Sequence, residues 1–384
     1  MTSLDQFAQD KLAELQRRHL RRALSDTYRE DGIWVERDGR RLLSFSCNDY
    51  LNLTQHPAVK HAAMAALKAY GAGSGASRLV TGNHPLYAAL ESRLACIKQT
   101  EAAVVFGSGY LANAGIIPVL IGRDGLVLLD ELSHACLYAG ARLSRGKVMT
   151  FRHNDVAHAR ELLAHHRGEH DHAMLITDGV FSMDGDLSPL AELLALTNEH
   201  DAWLMSDDAH GLGVVGGGRG SSFIDNAHIA IPLQMGTLSK AVGAYGGYLC
   251  ASEPVIDLMR NRARTLIYST GLPPAIVAAA TAALDLIERE PGYAALPVQK
   301  AKDFTRAAGL PEAQSPIVPV IIGDEQATLG ASNMLMDEGF LGVAIRPPTV
   351  PAGTARLRLT FTAQHPDDEI TRLARLVREK ISVA

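Results

Sequence analysis

Lys240 ends the string Gly236-Thr237-Leu238-Ser239-Lys240, and upstream of it stands Asp207-Asp208-Ala209-His210. A lysine amine condenses with an aldehyde, while a carboxylate paired with a pyridinium nitrogen keeps such a ring cationic and able to draw electrons from a bonded carbon. Apolar runs of strand character at 202–207 and 229–235 lead into the two segments, so both side chains fall at or just beyond strand ends. That is where ligands gather in open parallel sheets. Taken singly, a lysine after serine reads as a solvated surface residue and a strand-end aspartate as a turn residue. Their joint placement points to one site.

A phosphate handle needs a cradle. Ser108, Gly109 and Tyr110 follow an apolar run at 102–106 and open a helical stretch at 111–120, where free amides attract an anion. The Thr237 hydroxyl is a further phosphate donor, and the cofactor implied is pyridoxal 5'-phosphate. His134, after Asp130-Glu131-Leu132-Ser133, is placed to lie over the ring, and His210, three residues after Asp207, to bond the ring hydroxyl. Ser182 lies just beyond another strand end. No HxxxH or HExxH spacing calls for a metal. Gly211-Leu212-Gly213-Val214-Val215-Gly216 matches GxGxxG, but Gly217-Gly218-Arg219-Gly220 cannot open an amphipathic helix and no ribose-binding acid follows at the right spacing, so it reads as a loop near the cofactor rather than a dinucleotide site. The absence of GxSxG argues against a serine hydrolase. A noncatalytic binding protein would not need lysine, acid and phosphate loop together.

These residues must be held by a sizeable scaffold. A chain of 384 residues with 47% apolar content exceeds a single core. Strand-like runs at 102–106, 125–130, 147–151, 173–178, 202–207 and 229–235 alternate with helical stretches such as 134–143 and 190–197, which predicts an α/β fold with a mainly parallel sheet covered on both faces. The segment 4–24 carries Leu4, Phe7, Leu12, Leu15, Leu20 and Leu24 at helical spacing and reads as an arm. A long helix at 273–290 ends at Pro291-Gly292, read as a chain break. Beyond it, strands at 317–322 and 355–361 and helices near 326–338 and 366–381 predict a smaller α+β domain. The division expected is thus an arm over 1–45, a large cofactor domain over 46–290 and a small domain over 291–384.

The net charge of −5 is well mixed, which speaks against nucleic acid and polybasic membrane contacts. Cys47, Cys96, Cys136 and Cys250 form no CxxC pair and fit neither a disulfide framework nor a zinc site. No apolar run is long enough to span a bilayer and no signal region opens the chain, so a cytoplasmic protein is expected.

Ser46-Cys47-Asn48-Asp49-Tyr50-Leu51, Gly73-Ser74-Gly75-Ala76-Ser77-Arg78, Asp207-Asp208-Ala209-His210-Gly211 and Gly236-Thr237-Leu238-Ser239-Lys240, in that order, resemble the α-oxoamine synthases, which are fold-type I (aspartate aminotransferase-like) pyridoxal-phosphate enzymes. The resemblance runs from about residue 20 to the end. The string Ile345-Arg346-Pro347-Pro348-Thr349 is most similar to the branch that condenses L-alanine with a pimeloyl thioester and releases carbon dioxide and the carrier thiol. Sister branches, of the glycine C-acetyltransferase and 5-aminolevulinate synthase type, are the alternative. The resemblance implies that Lys240 holds the cofactor covalently, Asp207 pairs with the ring nitrogen, His134 stacks on the ring, His210 and Ser182 flank its oxygen, and Thr237, Gly109 and Tyr110 hold the phosphate. It further implies that Arg358 and Asn48 receive the amino-acid carboxylate, that Arg22 and Thr349 face the acyl substrate with Arg346 close by, that the protein is a homodimer with shared sites, Gly73 to Thr81 reaching the neighbouring cofactor, and that coenzyme A or an acyl-carrier protein delivers the acyl group. Asp178 stands where several relatives carry Glu, which puts in question a contact to the stacking histidine, and Asn52 stands where Gly is frequent.

Overall fold

The computed structural model describes residues 2–17, 20–224, 227–381 and 383. Its central sheet has seven strands in the spatial order Ala102–Phe106, Gly247–Ala251, Leu233–Thr237, Trp203–Asp207, Ala173–Asp178, Leu126–Asp130 and Lys147–Phe151. The last five are mutually parallel. Leu126–Asp130 and Ala173–Asp178 are buried throughout, as continuous apolar runs demand when both faces are covered. Val127, Leu129 and Ile176 pack with Ile116, Ile117 and Leu137 on one face, whereas Leu126, Leu128 and Leu175 pack with Leu163, Leu193 and Leu196 on the other.

Gly247–Ala251 is a strand the apolar-run reading did not include, because Gly246 and Gly247 lead into it. It runs antiparallel to both neighbours, so Lys240 stands in a turn between two antiparallel strands rather than in a crossover. The turn is pinned by Leu238 N–H to Gly246 O (2.9 Å) and Gly243 N–H to Lys240 O (2.9 Å), with Gly243 at φ +67°. A side chain at Gly247 would sit 2.7 Å from the Gly109 amide nitrogen, so glycine is what lets the turn and the loop that opens the Gly109–Leu120 helix meet.

The N-terminal helix spans Ser3–Arg17 with no buried residue and stops well short of 24; residues 18 and 19 lie outside the described residues. Three antiparallel strands follow, Tyr28–Asp31, Trp34–Arg37 and Arg40–Ser44, and Phe340–Leu341 joins the last of them in parallel. Ile33, Leu43 and Phe45 share a core with Phe304, Phe340, Phe361 and Leu373, so this stretch packs with the C-terminal segment. The long helix stops at Arg289, as the breaker at 291 leads one to expect, and a second helix, Pro291–Ala308, starts at once, because a proline in the first helical turn gives up an N–H that has no partner there. Ile317–Gly323, Ala355–Thr360 and Val343–Ile345 form an antiparallel sheet, with the helices Glu325–Asp337 and Asp367–Lys380 on the expected segments.

Candidate active site

The carboxyl ends of the central strands surround a cleft of about 210 Å³ lined by Ser108, Gly109, Tyr110, His134, Asp178, Asp207, His210, Thr237 and Lys240 among others. Eight of the nine cofactor residues expected from the sequence are therefore neighbours; the ninth, Ser182, lies to one side.

Lys240 Nζ is 2.7 Å from His210 Nε2. Burial pushes its amine down to about 8, against the opposing charges of Asp207 and Asp178. Burial first, then the lysine charge, holds the His210 imidazole well below its ordinary value, so the ring is neutral and accepts from the lysine. Its Nδ1 is 2.6 Å from the hydroxyl of Tyr50, whose own phenol is pushed up to about 12 by burial. The Tyr50 hydroxyl also reaches Asn48 Oδ1 (3.3 Å).

Asp207 ends its strand with both carboxylate oxygens occupied by N–H donors: Asn113 Nδ2 donates to Oδ2 (2.8 Å) and the Ala209 amide to Oδ1 (3.0 Å). The donors fix the orientation of the carboxylate. Asp178, the cross-strand partner of Asp207, accepts the backbone N–H of His134 (3.0 Å). The shorter acid thus reaches the histidine through its main chain, and burial followed by the Asp207 charge keeps its carboxyl well above the usual range. His134 caps the helix Ala135–Ser144, its Nδ1 accepting the Cys136 amide (3.2 Å), which leaves the ring proton on Nε2. Burial lowers the His134 imidazole, with Asp207 pulling the other way.

At the opposite end, Ser108 caps the helix Gly109–Leu120 by accepting the Leu111 amide (3.2 Å). The first amides of a helix have no partner within it, and they lie at the positive end of its dipole. Thr237 donates to Gly246 O (2.7 Å) and meets Ser239 Oγ (2.8 Å), so its hydroxyl pins the lysine turn and Ser239, which also lines the cleft, extends the polar end.

Arg358, in the strand Ala355–Thr360, is buried; its Nη2 donates to Asn48 Oδ1 (3.2 Å) and its Nε to the Ser182 carbonyl. Among the described residues no carboxylate pairs with it, whereas Arg356, two residues earlier, is tied to Asp184. A buried guanidinium without a counterion is a receptor for an anion. Ser182 therefore enters the site by its carbonyl, as a support for Arg358. Arg22 Nη2 lies 3.4 Å from Thr349 Oγ1 near the surface, and the Thr349 amide bonds Arg346 O (3.1 Å), so the three proposed acyl-side residues are neighbours. The sequence reading missed Asn113, Tyr50, Ser239 and the cap role of Ser108. The available signal for Asn113 was a lone amide in an apolar helix, one turn after Gly109.

This donor set fits pyridoxal 5'-phosphate. A buried, uncharged-prone amine, a carboxylate held open by amides, and a helix N-terminus beside hydroxyls converge on one cleft, and the missing Cβ of Gly109 leaves that space open, 3.5 Å from Thr237 Cβ. Among the described residues no cluster of His, Cys, Asp or Glu could hold a metal ion, and no helix is long and apolar enough to cross a membrane.

The profile of the aminotransferase class I and II family matches residues 40–377. The chain is 60% identical to the 8-amino-7-oxononanoate synthase of Beijerinckia indica, the match covering 98% of each. It is 67% identical to that of Methylocella silvestris over 91% of this chain and 99% of the other. Among solved structures it is similar to serine palmitoyltransferase from S. paucimobilis with bound PLP and myriocin, at 28% identity and a TM-score of 0.89 over 98% of both chains.

Proposed function

Because the chain belongs to the class I and II aminotransferase family and, within it, to the 8-amino-7-oxononanoate synthases, we propose that it condenses L-alanine with a pimeloyl thioester to give 8-amino-7-oxononanoate, carbon dioxide and free carrier thiol, a step of biotin biosynthesis. The observation that carries the reading is the buried Lys240 amine, lowered to about 8, in one cleft with Asp207 and the Gly109 helix end. Pyridoxal phosphate, when bound, supplies a cationic ring that withdraws electrons from the alanine Cα.

The protein's own groups do the rest. Lys240 would hold the cofactor, and its neutral Nζ is the base that takes the alanine Cα proton and later returns one. Asp207 would pair with the ring nitrogen and favour its protonated form, and Asn113 with the Ala209 amide keeps that carboxylate aimed. Gly109, Tyr110 and Ser108 would hold the phosphate end, and Thr237, whose proton goes to Gly246 O, holds the lysine turn beside it. His134 would lie against the ring of the bound cofactor, and its Nε2–H is a donor for the thioester oxygen as charge builds there. Arg358 and Asn48 bind the amino-acid carboxylate by the fork geometry of a guanidinium. Arg22, Thr349 and Arg346 face the acyl chain.

Two features support a homodimer whose sites lie between subunits: Leu79, Val80, Tyr245 and Tyr268 are large apolar side chains left exposed, and Tyr110, which lines the cleft, is half exposed. Four free cysteines suit a reducing, cytoplasmic setting. The pimeloyl group arrives on coenzyme A or on an acyl-carrier protein. The test supplies alanine or glycine with pimeloyl, succinyl and acetyl thioesters to the purified holoenzyme and identifies products by mass. Alanine with the pimeloyl thioester should give the dominant product; preference for glycine with a short acyl group would assign a sister reaction instead.

A further inference from the structure

His153 lies outside the cleft, in the turn after Lys147–Phe151, with its ring edge on Phe181 (4.4 Å, 88°). Its Nδ1 is 3.0 Å from Asp130 Oδ1 and its Nε2 is 2.8 Å from Asp186 Oδ2. Carboxylates only accept, so an imidazole bonded to carboxylates through both nitrogens donates from both and carries a positive charge. Burial opposes that charge, but the bonds to Asp130 and Asp186 and their charges together outweigh it and push the imidazole up to about 10. Glu131 faces the same turn and accepts the His153 amide (3.0 Å). Asn154 doubles the bridge, its amide donating to Asp130 Oδ2 (2.8 Å) and its side chain to Asp186 Oδ2 (3.0 Å) and Leu187 O (3.2 Å).

The two acids belong to segments with different work. Asp130 ends the strand Leu126–Asp130 and starts the turn that places His134. Asp186 belongs to the 179–188 loop, whose Ser182 carbonyl accepts from Arg358 and whose Asp184 pairs with Arg356. The same loop reaches the C-terminal segment through the Leu187 amide and Gln314 Oε1 (3.0 Å). A single cation therefore joins the support of the cofactor-stacking histidine to the support of the anion-binding arginine.

We propose that His153 is a positioning residue: as an imidazolium bridging Asp130 and Asp186, it fixes the Ser182 carbonyl relative to the His134 turn and so aims Arg358 at the amino-acid carboxylate. It acts through Arg358 and touches neither substrate nor cofactor. The inference rests on the reading of Arg358 as the receiver of the alanine carboxylate.

The test uses the holoenzyme with His153→Gln, which cannot donate to both acids. Alanine affinity is read from the alanine-dependent change in cofactor absorbance, and steady-state rates are measured with pimeloyl thioester. The alanine Kd and KM should rise roughly tenfold, the size of one lost charge-assisted hydrogen bond, while thioester KM and cofactor content stay within about twofold. Asp186→Asn, at the partly exposed acid, should shift alanine affinity in the same direction by less, and should add little on top of His153→Gln because the bridge is already open. Unchanged alanine affinity in the folded variants overturns the proposal, as does an equal loss of alanine and thioester affinity, which would mark general loosening. If His153→Gln does not fold, Asp186→Asn decides by the same split. Failure of the functional reading looks different: wild type would then give no alanine-dependent absorbance change, and the comparison is made with the amino acid to which wild type does respond.

Discussion

Lys98 is fully buried and Lys240 partly so, and each lies near one of two consecutive aspartates. Lys98 Nζ pairs with Asp208 and donates to Arg219 O (2.8 Å). Asp208 is completed by the amide and hydroxyl of Ser221 (3.0 and 2.7 Å), so every charge in that cluster has a partner and the glycine-rich 211–220 loop is tied to the strand end. Lys240 instead has an imidazole for its hydrogen-bond partner, and Asp207 is held away by Asn113 and Ala209. A carboxylate in contact makes a buried lysine a permanent structural cation; withholding that contact leaves an amine that loses its proton easily and can react.

That contrast can be broken from either side. The largest effect is expected at Lys240→Ala, where turnover should fall at least about a thousandfold and borohydride should no longer fix cofactor to the chain, with the far-ultraviolet circular dichroism unchanged. Lys98→Ala should do the reverse: denaturant unfolding should show a loss of about 3–5 kcal/mol, because Asp208 is left as an uncompensated buried charge, whereas Lys240→Ala should cost little stability. A stable Lys98→Ala protein would remove the distinction between the two sites. The pH dependence sharpens it further. With its value lowered to about 8, Lys240 is an unreactive ammonium below that pH and a free amine above it, so cofactor capture by apoprotein should rise about tenfold per unit up to about pH 8 and then level, as followed by absorbance. The smallest effect is expected at Asn113→Ala: Asp207 loses one amide donor, worth roughly 1.5–3 kcal/mol at a charged acceptor, and both cofactor affinity by equilibrium dialysis and turnover should drop.

How much of this was legible in the sequence depended on whether a feature was local. The five parallel strands and their helices follow from apolar runs and turn residues, and the Lys240, Asp207 and Gly109 positions follow because each sits at the end of such a run. Gly247–Ala251 escaped because its two leading glycines resemble a loop, and its strand character comes from pairing on both sides. Pro291 marks the end of one helix as its type suggests, but its type does not announce the start of the next, because the same residue that stops a helix in its middle also opens one in its first turn. Asn113, Tyr50 and the His153 bridge are links between segments far apart in the chain, and no pattern of neighbouring residues encodes them. Thr237 shows the limit at one atom: its place in the cleft follows from the motif, but the donation of its proton to Gly246 does not.

The ring of Phe45 lies between Phe340, Phe361 and His365, the last stacked on it at 4.0 Å. On the ribosome, the strand that delivers Phe45 emerges long before any of those partners exists. At about 5–20 residues per second, the roughly 300 residues in between take on the order of 15 seconds to a minute to synthesise. Through that interval Leu43, Phe45 and the open edge of their hairpin are without the cover that Phe340 and Phe361 later supply, so this apolar face is complete only once the segment carrying those rings has been made.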